Sequence, residues 1–103
     1  MQNAVKNKQV LITLLKANNQ KLKSYGVISL SIFGSFISGR QNSKSDVDLL
    51  IDFDPKQKSY DNFMDLSFFL EDLLGRKVEV VTPQSLSKYI GSYILKQAEH
   101  VAI

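Results

Sequence analysis

Hydrophobic and polar positions change their period several times along this chain, and each change predicts an element. From Ala4 to Lys23 there is no glycine or proline, and Val5, Leu11, Leu14, Leu15 and Leu22 recur near the helical period. That spacing predicts one helix, ended by Gly26. Val27–Phe33 mixes β-branched and apolar residues and predicts a strand that stops at Gly34-Ser35. Arg40–Ser45 is polar and reads as a connection. Asp46–Phe53 begins with acid alternating with apolar and then turns apolar, the pattern of a strand buried at its centre with one wet end. Asp54-Pro55 stops it, because proline has no amide to donate and restricts the residue before it.

Ser59 then has the character of an N-cap, with Asp61 in the first turn, where a carboxylate suits the helix dipole. Phe63, Leu66, Phe69 or Leu70, and Leu73 form an apolar stripe, and Gly75 closes this second helix. Lys77–Thr82 is a third strand, stopped by Pro83, and the chain from Ser85 through Ile94-Leu95 reads as one or two short helices. Tyr89, Tyr93 and Ile94 are expected to pack in the core there, with contact to a partner as the alternative. The order predicts a single domain over residues 1–103, α/β (α+β) in class, with three core strands in a short mixed sheet flanked by helices.

Composition narrows the functions such a domain can have. With 103 residues, 44% of them apolar, the chain can build a real core. Cysteine is absent and His100 is the one histidine, so disulfides, thiol nucleophiles, Cys-ligated zinc and histidine-based triads are excluded or disfavoured. No apolar run approaches the ~20 residues of a bilayer span, and the N-terminus lacks a charged-then-apolar leader pattern. A cytoplasmic protein with no membrane partner is expected.

The net charge of +3 is unevenly spread: residues 1–45 carry six lysines and Arg40 with no acid, while residues 46–72 carry eight acids against Lys56 and Lys58. A uniformly basic nucleic-acid surface would not be interrupted this way, so the acidic middle argues against direct nucleic-acid binding. Basic and acidic stretches side by side suit a cleft holding both metal-binding carboxylates and a nucleoside triphosphate.

Three local features could carry that chemistry. Gly34-Ser35 after a buried strand, with Gly39 following, lets backbone come close to a phosphate. Asp46 and Asp48, at i and i+2 of a strand, share one face roughly 6.5–7 Å apart. Carboxylates set that way repel unless a hard divalent cation such as Mg²⁺ lies between them. Glu79, alone among valines, would complete a cluster if its strand lies beside theirs, giving the carboxylate set of a two-metal site.

The run Gly34-Ser35-Phe36-Ile37-Ser38-Gly39, followed by Ser45-Asp46-Val47-Asp48-Leu49, closely resembles the signature of the minimal nucleotidyltransferases of the DNA polymerase β-like superfamily. Gly75-Arg76-Lys77-Val78-Glu79-Val80-Val81 resembles that family's third-carboxylate strand. The resemblance covers nearly the whole chain and implies the nucleotidyltransferase fold. It implies two Mg²⁺ ions on Asp46 and Asp48, with Glu79 in the third-carboxylate position as metal ligand or as base for the acceptor hydroxyl, and Gly34, Ser35, Arg40 and Ser45 at the nucleotide. It further implies transfer of AMP from ATP to a hydroxyl. The implied partner is a helical HEPN-type RNase toxin, silenced by this chain as its antitoxin through adenylylation of a tyrosine.

Phe36 and Ser38 stand where the family often has arginines, so Arg40 or Lys44 would have to serve the triphosphate. The alternatives are an antitoxin that neutralises its partner by binding alone, a basic nucleic-acid-binding domain, and a small-molecule nucleotidyltransferase. The last has no room here for an acceptor domain.

Overall fold

The computed structural model describes residues 4–86 and 88–103, with backbone alone for residues 88–90. Helix α1 (Lys8–Ala17) and helix α2 (Asn19–Ser24) lead into strand β1 (Val27–Phe33). Asn7 caps α1 by accepting the Val10 amide on its side chain. The single helix predicted over residues 4–23 is thus divided. Asn18 breaks it: its side-chain amide donates to the Leu14 carbonyl and its backbone N–H is shared between the Leu14 and Leu15 carbonyls. Such local bonding competes with continuation of the helix. Ahead of Asn7, Val5 is buried, its amide donating to Leu74 O at 2.9 Å.

A one-turn helix α3 (Ser35–Ser38) follows β1, then strand β2 (Val47–Phe53), helix α4 (Tyr60–Leu74) and strand β3 (Val78–Val81). Ser59 caps α4 by accepting the Asn62 amide, and Gly75, at φ 65°, ends it in the left-handed conformation, both as the sequence predicts. A 3-10 turn (Pro83–Ser85), helix α5 (Lys88–Gln97) and strand β4 (Glu99–Val101) complete the chain.

The sheet has four strands in the order β3-β2-β1-β4, not three. Three polar-leaning residues give no readable alternation, so β4 exists only because the edge of β1 accepts it, pairing Leu30 with Val101. β1 is antiparallel to both neighbours and β2 is parallel to β3, so the sheet is mixed as expected. Leu11, Leu15, Leu22, Leu66, Leu70 and Leu74 are wholly buried against Leu30, Ile32, Leu49 and Ile51 on one sheet face. No helix among the described residues is long and apolar enough to cross a membrane.

Tyr93 corrects one expectation: it is 64% exposed rather than packed in the core, with Leu95 also exposed on α5. The side chain of Tyr89 lies outside the described residues.

Candidate active site

Strand β2 alternates strictly. Val47, Leu49, Ile51 and Phe53 join the core, and Asp48, Leu50 and Asp52 fall on the other face. Because β2 and β3 run parallel in register, Asp48 lies directly beside Glu79, while Val47 pairs with Val78 and Leu49 with Val80. Neighbouring strands are ~4.8 Å apart, so two carboxylates are held side by side by backbone pairing alone. Asp46 precedes the strand, exposed at the end of the 40–45 connection and close enough to act electrostatically on Asp48.

The Asp48 carboxyl is pushed up from 3.8 to about 6, first by burial, then by the negative charges of Glu79 and Asp46, and by a side-chain hydrogen bond with Glu79. No lysine or arginine pairs with any of the three among the described residues.

Gly34 is the other half of this site. Its φ of 75° and ψ of −148° lie where side chains are strained, and an added Cβ would collide with Asp48 Oδ2. The chain turns there, into α3, so closely against Asp48 that only glycine fits. The first amides of a helical turn, here those of Ser35 and Phe36, have no intrahelical acceptor and are available to an anion.

The predicted residues are therefore not all placed alike. Asp48 lies beside Glu79 and against Gly34, which Ser35 follows in sequence, and Asp46 is within electrostatic reach of Asp48. Arg40 is exposed just past α3, its backbone amide donating to Ser35 O, and its guanidinium makes no ion pair or hydrogen bond among the described residues. Ser45 closes a turn instead: its Oγ accepts the Asn42 amide at 2.8 Å. Phe36, where an arginine would be usual, is 2% exposed and belongs to the core.

Two features carry no sequence signal. Gln41 Oε1 is buried with no hydrogen-bond partner among the described residues. The Arg76 guanidinium bonds three backbone carbonyls, those of Val5, Asn42 and Ser45. A lone arginine in a Gly-Arg-Lys turn has no spacing that would announce this.

The donor set fits a divalent cation. It is all hard oxygen, its charge is uncompensated, and burial of Asp48 is opposed until a cation arrives. Among the described residues no three such side chains are already drawn together closely enough to hold a metal. Repelling carboxylates would not close a cage by themselves.

A family model described as the nucleotidyltransferase domain matches residues 11–100. The chain belongs to that family. Protein adenylyltransferase MntA of Thermococcus cleftensis is 34% identical over 90 residues, covering 86% of this chain and 90% of that protein. A solved structure assigned as a minimal nucleotidyltransferase superposes with a TM-score of 0.81 at 25% identity, covering 94% of this chain and 98% of that one. A complex of tri-AMPylated Shewanella oneidensis HEPN toxin with MNT antitoxin matches in fold, with a TM-score of 0.57 at 16% identity over 84% of this chain and 71% of that one. The family makes this chain a transferase, and its fold is that of a minimal nucleotidyltransferase.

Proposed function

We propose that this chain moves AMP from ATP to a tyrosine hydroxyl of a HEPN-type RNase toxin and thereby acts as its antitoxin. The observation that carries the reading is the in-register pair Asp48 and Glu79, with Gly34 pressed against Asp48 and Asp46 alongside. The likeness to a protein adenylyltransferase and to an antitoxin seated on an AMPylated HEPN toxin supports it.

In this reading Asp46 and Asp48 hold two Mg²⁺ ions, and Glu79 is left to act as base for the acceptor hydroxyl. Bound there, the ions would neutralise the triphosphate and stabilise the developing charge. The amides of the Gly34-Ser35 turn receive phosphate oxygens, and Arg40, unpaired among the described residues, or Lys44 reaches the outer phosphates. The acceptor oxygen attacks the α-phosphorus, the bond to the β-phosphate oxygen breaks, pyrophosphate leaves, and the hydroxyl proton passes to an exposed carboxylate, for which Glu79 is best placed. Ser45 acts indirectly, by closing the turn that delivers Asp46.

Incubating the toxin with MgATP and this chain, followed by intact-mass measurement, tests this. Steps of one AMP on the toxin are expected with the wild type and none with an Asp46→Asn, Asp48→Asn variant. One observation favours a second reading: the burial of Phe36 removes any guanidinium from that position. A stable complex, a silenced toxin and no mass step from either chain would make this an antitoxin that works by binding alone.

A further inference from the structure

We infer that Arg76 is a positioning residue that holds Asp46 in the metal-binding arrangement by clamping the connection in front of it. This rests on the reading of Asp46 as a metal ligand given above.

Its guanidinium makes an unusual set of contacts for one side chain. Nε donates to Val5 O at 2.6 Å, and Nη1 donates to both Asn42 O at 2.7 Å and Ser45 O at 2.9 Å. The guanidinium carbon also sits 5.1 Å from the Phe36 ring centroid. Charge-assisted bonds from one rigid fork to several carbonyls fix geometry as well as energy.

Those contacts tie helix α3 and the N-terminal segment to the connection that precedes Asp46. Phe36 belongs to α3, which begins at the Gly34-Ser35 turn. Asn42 and Ser45 are the two ends of the turn that Ser45 closes, and Ser45 is bonded directly to Asp46. Arg76 itself stands three residues before Glu79 in sequence, at the entry to β3, where Val47 N also bonds Lys77 O at 2.9 Å. Asp48 and Glu79 are held by strand pairing, whereas Asp46 lies outside the ladder. An exposed loop carrying a metal ligand would otherwise sample many conformations, and each would separate Asp46 from Asp48.

The substitution that isolates this role is Arg76→Lys, which keeps the charge but replaces the rigid fork with a single flexible donor centre that cannot hold Val5 O and the Asn42 and Ser45 carbonyls together in one fixed geometry. Binding of Mn²⁺ is measured by electron paramagnetic resonance on the full chain with a non-hydrolysable ATP analogue, beside amide hydrogen exchange of residues 40–46. Leu11→Ala serves as a control, since it destabilises the core without touching the clamp.

Arg76→Lys is expected to weaken Mn²⁺ binding by roughly 10–100-fold, the scale seen when groups that orient a ligand are removed, and to speed exchange in 40–46 selectively. Leu11→Ala should leave Mn²⁺ affinity within about twofold while lowering the melting temperature. Equal Mn²⁺ affinity in Arg76→Lys and wild type overturns the inference. So does an equal loss in Leu11→Ala, which would make the effect one of general stability. A wild-type chain that binds no Mn²⁺ overturns the reading of the site itself. The positioning role falls with it, and faster exchange in Arg76→Lys would then mark a purely structural clamp.

Discussion

On β2, Val47, Leu49, Ile51 and Phe53 look into a dry core while Asp48 and Asp52, one residue out of phase, look the other way. The core face is apolar and closely covered. The opposite face sets Asp48 beside Glu79 and Asp46 with no cation among the described side chains, an arrangement that opposes folding. The strand is kept straight and in register by the first face so that the second can hold charges where they would not collect by themselves. Stability on one side maintains a destabilised site on the other, which is how a site that needs strain persists.

The comparison breaks most sharply at Leu49, which is wholly buried. Leu49→Ala is expected to cost about 2–5 kcal/mol, a large part of a small domain's stability, measured by denaturant unfolding. Loss of transfer should follow from unfolding and not from chemistry.

Its neighbour should behave in the opposite sense. Asp48→Asn is expected to lower AMP transfer roughly 10²–10³-fold, as loss of one preorganised electrostatic contact does, while leaving the metal-free protein as stable or more so at neutral pH. The pH dependence identifies the cause. The folded chain binds the Asp48 proton more tightly than the unfolded chain, about 6 against 3.8, so this group's penalty is present above pH 6 and disappears as pH falls toward 4. Thermal unfolding in a chelator should therefore show stability from this group rising as pH drops through that window. Asp48→Asn should remove that component. A variant that loses stability at pH 7 would show that Asp48 is not under strain.

Gly34 lies where the two faces meet. Gly34→Ala is expected to destabilise by about 1–3 kcal/mol, from the positive φ and from the clash with Asp48. Combining it with Asp48→Ala should restore part of that loss, the signature of two residues in contact. Additive losses would mean that backbone strain alone is responsible. The smallest effect is expected at the Lys8–Glu99 ion pair, 3.0 Å apart and about two-fifths exposed at both ends. Lys8→Ala should cost less than about 1 kcal/mol and less still in high salt.

Much of this was legible in the amino-acid order. Strands β1, β2 and β3 and helix α4 with its Ser59 cap and Gly75 terminus follow from local rules, because a period of two or 3.6 is written in neighbouring residues; Asp46, read as part of the second strand, instead falls one residue before it. Other features were not legible. Asn18 breaks a helix through a bond that competes with a pattern still apolar on both sides. Strand β4 is too short to have a period and forms only against an edge supplied by residues about seventy positions earlier. Phe36 falls within a motif and yet belongs to the core.

The sequence by itself determined the chemistry available, which is carboxylates, a glycine turn and no thiol or histidine cluster, along with the elements that carry it, since both depend on residue type and short spacing. Only the tertiary structure decided that Glu79 lies opposite Asp48, that Gly34 has no room for a side chain, and that Arg76 reaches three carbonyls from distant parts of the chain. Those are distances between segments far apart in sequence, set by strand register and core packing, and no local pattern encodes them.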